Sequence, residues 1–206
     1  MADQPDLQTV MEELRRTQQR LQRLEDRQAI LDCINRYTRG LDRLDAEILT
    51  GVYHPDAVDN HSGFVGYIPE FVKWGIALEA RYASTHHGIT THTCEIDGDT
   101  AHTESYVHWF LRLKDSDKVR AGGGRYVDRL ERRNGAWKIT LRRLLMDWQL
   151  EADGTLWNAN VESFALGARD HGDPSYQRPL ALPAKLARQL AAKPKPKLKP
   201  RTARRK

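Results

Sequence analysis

The sequence predicts an α+β domain in which helices at the start of the chain cover one face of an antiparallel sheet. Three observations carry this: a helical period over residues 26–82, a two-residue period from residue 89 to 150, and two hairpin turns, Asp97-Gly98-Asp99 and Asn134-Gly135. A parallel doubly wound sheet would need strands and helices in alternation, which this order does not provide.

The elements follow in order. Leu7, Leu14 and Leu21 recur every seven residues, with Val10, Thr17, Leu24 and Leu31 interleaved, the spacing of a coiled-coil stripe about three heptads long. Either self-association or an amphipathic helix leaning on its own domain fits that stripe. Ile30, Leu31, Ile34, Tyr37 and Leu41 then form the apolar face of a helix over residues 26–44, interrupted at Gly40, and a short helix over 45–53 ends at His54-Pro55-Asp56-Ala57. Pro69 opens a third helix to residue 82 carrying Phe71, Val72, Trp74, Ile76 and Leu78. Residues 89–96 and 101–113 alternate as strands, as do 126–132 and 137–150 around Asn134-Gly135. Gly122, Gly123 and Gly124 bend or loosen a strand entry.

This organisation reads as an amphipathic helical extension at 1–23, an α+β domain at 24–150, a docked extension at 151–182 whose apolar mass is Trp157, Phe164 and Tyr176, and a tail at 183–206. The chain has 206 residues and a formal charge of +5, but eleven Lys or Arg and no acid fall between Arg178 and Lys206, so +5 less eleven leaves residues 1–177 at −6. A basic nucleic-acid-binding body is disfavoured; the Lys/Pro-rich, disordered tail keeps the charge for weak contact with nucleic acid or an anionic surface. Two cysteines, Cys33 and Cys94, are too few for a disulfide framework, and neither a membrane span nor a secretory h-region is visible. A cytoplasmic protein is expected.

The chain has no CxxC pair, HExxH helix, GxSxG elbow or phosphate loop. His86, His87 and His92 invite a metal reading, but neighbours in a strand point to opposite faces, so unbroken alternation puts His86 with His92 and leaves too few ligands; neither a metal nor an organic cofactor is expected. Tyr37, Asp42, Tyr53 and His86 form the more informative set, each with a plain alternative: core filler for the tyrosines, a helix cap for Asp42, a surface position for His86.

Tyr37-x4-Asp42, Tyr53-His54-Pro55-Asp56-Ala57, Thr85-His86-His87-Gly88, residues 95–101 and the run from Gly124 to Ile139 together resemble the SnoaL-like branch of the nuclear transport factor 2 superfamily, over about residues 24–150. The resemblance implies a cone-shaped barrel of strongly bent, mainly antiparallel sheet wrapped around the N-terminal helices, with a pocket, in a homodimer or homotrimer. The pattern is most similar to bile acid dehydratase and hexachlorocyclohexane dehydrochlorinase, with scytalone dehydratase also in the branch. It implies a cofactor-independent, dehydratase-type lyase acting on a hydrophobic cyclic small molecule. Asp42, His86 and Tyr37 would be catalytic, and Tyr53 and Arg125 would bind substrate. Arg125 with Asp128 fits either a pocket ion pair or a surface cross-strand pair. A noncatalytic small-molecule-binding or assembly protein of the same fold, or an isomerase or cyclase on a steroid- or polyketide-like ring, are the alternatives. Scytalone dehydratase carries a second histidine where this chain has Ser105, and His108 falls on the other strand face by parity.

Overall fold

A computed structural model describes residues 6–61, 63–154 and 166–192. Helix α1 (Leu7–Asp42) begins where the Asp6 side chain accepts from the Thr9 N–H at 3.0 Å, and runs unbroken through residue 23. Residues 7–25 of it are exposed all round, so this helical segment does not lean on its own domain. From Asp26 onward Ile30, Cys33, Ile34, Tyr37 and Leu41 enter the core. Leu44, at φ 52°, ends the helix run, and Asp45 caps α2 (Ala46–Gly51) through the Ile48 N–H at 2.9 Å. A Cβ on Gly40 would meet the Leu49 backbone at 3.0 Å, so glycine here lets α2 cross close over α1.

Strands β1 (Tyr53–His61) and β2 (Phe64–Tyr67) follow, then α3 (Ile68–Glu79) with Pro69 in its first turn, and four long strands, β3 (Tyr82–Asp97), β4 (Thr100–Leu113), β5 (Lys118–Arg133) and β6 (Ala136–Asp153). The α+β class and the β3–β6 meander are observed, with the β1–β2 hairpin set between α2 and α3, and the Asn134-Gly135 turn has positive φ at both residues, as a two-residue hairpin requires. The sheet order is β2-β1-β6-β5-β4-β3, antiparallel except for β1 beside β6. The sheet curls round α1 and α3 as an open cone, with β2 and β3 as its edges.

Strands β1 and β2 replace the break expected after residue 53. Pro55 is accommodated because the β1–β6 register shifts between Tyr53 and Val58, so no ladder N–H is needed there. The three glycines sit inside β5 rather than at its entry: a Cβ on Gly122 would run into the Trp109 indole and one on Gly123 into Trp148. Beyond the sheet, residues 166–178 dock on the C-terminal end of α1, and α4 (Ala184–Ala191) follows. Trp157, Phe164 and residues 193–206, with most of the basic tail, lie outside the described residues. Among the described residues no helix is long and apolar enough to cross a membrane.

Candidate active site

Asp42 closes α1, and β3 passes its carboxylate at the level of Thr85 and His87. The carboxylate accepts from the Thr85 hydroxyl at 2.9 Å, from the His87 backbone N–H at 2.9 Å and from His87 Nδ1 at 2.7 Å. Because an ionised carboxylate can only accept, Nδ1 carries a proton, and in the neutral ring Nε2 is left with its lone pair. Burial alone would push Asp42 up, but these hydrogen bonds and the His87 charge hold it below the usual carboxylate range. Burial opposes a charged His87, yet the bond to Asp42 and the charges of Asp42 and Glu79 raise it above an ordinary histidine.

The partner of Asp42 is therefore His87, not the expected His86. The β3–β4 register shifts between Ile89 and His92, so one extra residue lies between His87 and His92 and the parity count inverts. His87 and His92 share the inner face, His92 Nδ1 meeting the buried Ser105 hydroxyl at 2.8 Å. His86 is exposed and borders a separate hollow of about 380 Å³ with Arg43 and Arg112.

His87 lines a cavity of about 280 Å³ inside the cone, together with Glu79, His61 and Tyr126 and the apolar side chains of Trp74 and Trp109. A larger hollow of about 560 Å³ lies between α1 and the β5–β6 turn, away from the dyad. We take the smaller cavity as the candidate site because, among the described residues, titratable groups converge there with aromatic walls.

Neither expected tyrosine is on that cavity wall. Tyr37 is fully enclosed, its hydroxyl 3.5 Å from His61 Nδ1, and the Tyr53 hydroxyl donates to Asp59 at 2.6 Å. Tyr37 stands behind His61, and Tyr53 reaches His61 only through Asp59, whose Oδ1 lies 3.5 Å from His61 Nδ1. Tyr126 and Tyr82 are the tyrosines that line the wall; the Tyr126 ring is edge-on to Tyr37 at 5.3 Å, and burial raises its pKa. Arg125, expected to bind substrate, points to the outer face: it pairs with Glu104 at 2.9 Å and Asp147 at 3.3 Å. Its neighbour Tyr126 takes the inner face, as strand alternation requires. Asp128 is also inward and forks onto Arg142 at 2.7 and 2.6 Å, both side chains fully buried, so it has no pair with Arg125. The Arg142 guanidinium lies 3.8 Å from the Tyr37 ring and 4.1 Å from that of Tyr126, and Asp128 keeps it charged against the pull of burial.

His61, Glu79, Tyr126 and Arg169 escaped the sequence reading. His61 falls between the break at residues 54–57 and the helix opening at Pro69, where the sequence reading assigns no element; Glu79 looks like the solvent side of a helix, and Arg169 belongs to an irregular extension. Its guanidinium donates to the Asp42, Glu79 and Tyr82 carbonyls at 3.1, 2.8 and 2.9 Å and to the Thr85 hydroxyl at 3.0 Å.

Residues 22–143 match the model of the SnoaL-like domain. The chain belongs to the SnoaL-like family. Among solved structures it is similar to hexachlorocyclohexane dehydrochlorinase LinA-type3 from Novosphingobium barchaimii, at 22% identity over 65% of this chain and 94% of that one, with a TM-score of 0.60. It is also similar to a putative scytalone dehydratase from Novosphingobium aromaticivorans, at 18% identity over 72% and 93%, TM-score 0.58. A function-unknown protein from Mycobacterium tuberculosis, Rv3472, aligns at 26% identity over 61% and 74%, TM-score 0.56. No curated protein matches the chain. At these identities the first two likenesses establish a shared SnoaL-like fold, on which dehydratases and dehydrochlorinases are also built.

Proposed function

We propose that this SnoaL-like protein is a cofactor-independent lyase that eliminates a leaving group from a hydrophobic cyclic small molecule, with His87 as base and Asp42 as its orienting partner. The observation that carries this reading is the 2.7 Å contact between Asp42 and His87 Nδ1, made by a histidine on the wall of a half-open cavity. Asp42 selects the tautomer whose Nε2 accepts a proton and stabilises the imidazolium as it forms. Tyr126 is placed to donate to a substrate carbonyl in that cavity, and Tyr37 acts through His61 rather than on substrate. The dehydratase and dehydrochlorinase neighbours support elimination as the reaction class.

Hydroxylated cyclic ketones offered to the protein should gain ultraviolet absorbance as a conjugated product forms. His87→Gln should lower kcat/KM by about 100-fold or more, the usual contribution of a positioned base. An unchanged kcat/KM in that variant would remove His87 from the reaction. Ketones that bind without any change in absorbance would favour the binding protein of the same fold.

A further inference from the structure

Glu79 is the last residue of α3 and is only 6% exposed, yet it lines the cavity that His87 lines. Its Oε2 is enclosed and has no hydrogen-bond partner among the described residues. A buried carboxylate is ordinarily paired or hydrogen-bonded, because its desolvation is otherwise uncompensated. Here the nearby guanidinium of Arg169 bonds the main-chain oxygen of Glu79 at 2.8 Å, along with those of Asp42 and Tyr82 and the Thr85 hydroxyl. The C-terminal end of a helix also disfavours negative charge. An apolar side chain would fill this position at lower cost, so packing does not account for a carboxyl here.

We propose that Glu79 is the general acid of the site, so that the group lost is a hydroxyl leaving as water from a cyclic β-hydroxy carbonyl compound. This rests on reading His87 as the base. Four charged or titratable groups act on Glu79. Burial raises its pKa and Asp42 adds to that rise, while His87, Arg169 and His61 pull it down. His87 and Glu79 line the same cavity, and an apolar ring displacing water favours the form with neutral imidazole and neutral carboxyl over the separated charges.

In that form His87 Nε2 takes the proton from the carbon beside the carbonyl. The C–H pair passes into an enolate, which either takes back a solvent-exchanged proton or collapses; on collapse the pair becomes the new C=C bond, and the C–O bond breaks with its electrons on the hydroxyl oxygen. That oxygen takes the Glu79 proton and departs as water. Transfer of the imidazolium proton to the Glu79 carboxylate restores both groups, with no oxidant or reductant. A chloride or carboxylate leaves as a stable anion without this proton, so a buried acid would serve no purpose in its removal.

The full chain is given 3-hydroxycyclohexanone and 3-acetoxycyclohexanone, which yield the same enone by loss of water or of acetate, while deuterium entry at the carbon beside the carbonyl is followed in heavy water. Glu79→Gln should slow water loss by about 100-fold. Acetate loss and deuterium entry should fall far less, and Glu79→Asp, which keeps an acid, should recover part of the water loss. Equal falls for both leaving groups, no fall for either, or no recovery in Glu79→Asp would overturn the role of Glu79 alone. A wild-type protein that brings no deuterium into the ketone would overturn the base reading, and the inference with it.

Discussion

One carboxylate receives two hydrogen bonds from a single residue: the Nδ1–H of His87 reaches Asp42 Oδ1 at 2.7 Å, and the backbone N–H of His87 reaches Oδ2 at 2.9 Å. The backbone bond fixes where β3 passes α1, and the ring bond fixes the tautomer. Asp42→Asn should preserve the first and reverse the second, since its amide would donate to Nδ1 and drive the proton to Nε2. The expected outcome is a fall of about 100-fold to 10,000-fold in kcat/KM with the fold intact. Nitrogen NMR of the ring, read beside the kinetics, shows whether the tautomer has inverted.

The raised pKa of His87 fixes the sign of two pH dependences. The base is the neutral ring, so deuterium entry and acetate loss, which need no acid, should speed up as pH climbs through the folded pKa, which lies above about 6.5, the ordinary histidine value. Stability runs the other way. The charged ring's interaction with Asp42 stabilises the fold fully below the unfolded pKa and is lost as pH rises through the folded one. Asp42, held below its usual range, contributes stability above about 3.9 that disappears as pH falls through its own folded value. Denaturant midpoints measured across pH for the wild type and for His87→Gln separate these windows: the high-pH slope should vanish in the variant.

Much of the scaffold was legible because it is periodic. The change from helical to alternating pattern near residue 89 and the Asn134-Gly135 turn predicted the meander, and Asp42 was found as a carboxylate at a helix break. The parts missed depend on exceptions to periodicity. A register shift between Ile89 and His92 carries no sequence signature, and it moved the dyad from His86 to His87. Pro55 reads as a breaker until the β1–β6 irregularity is seen to spare its missing N–H. Glu79, His61 and Arg169 are brought to the site by packing between segments distant in the chain, which local spacing does not encode.

Arg142 is the largest fully buried side chain, and its fork on Asp128 is the clearest long-range constraint in the core. Arg142→Met should leave the Asp128 carboxylate buried and unpaired, a loss of about 3–5 kcal/mol. Replacing both, with Asp128→Asn and Arg142→Met together, should recover a substantial part of that loss, since the uncompensated charge is gone. Urea unfolding of the two single variants and the double variant closes the cycle, and additive losses would contradict the pairing.

The β5 glycines separate close approach from backbone freedom. A methyl group on Gly122 would collide with the Trp109 indole, whereas nothing lies within 4 Å of a Cβ on Gly51. Gly122→Ala should therefore cost about 1–3 kcal/mol as the indole is forced aside. Gly51→Ala, at the end of α2, should be neutral or stabilise by up to about 1 kcal/mol through the unfolded chain. Thermal unfolding of the two variants decides the matter, and because Trp109 also lines the cavity, Gly122→Ala should in addition raise KM.

Arg169 ties the docked C-terminal segment to both sides of the dyad, bonding the Asp42 carbonyl at 3.1 Å and the Thr85 hydroxyl at 3.0 Å, while that hydroxyl donates to the Asp42 carboxylate. The side chain is absent from the cavity wall, so its effect on catalysis must pass through the position of Asp42 and β3. Arg169→Ala should lower kcat by about 10-fold with little change in KM, because binding contacts remain while the base loses its alignment. Arg169→Lys has too few donors to reach four acceptors in one plane and should restore only a small fraction. The ring NMR signature of His87 should broaden or shift in the alanine variant. A segment that served only to stabilise the fold would lower the unfolding midpoint and leave both kcat at permissive temperature and the His87 signal as they are in the wild type.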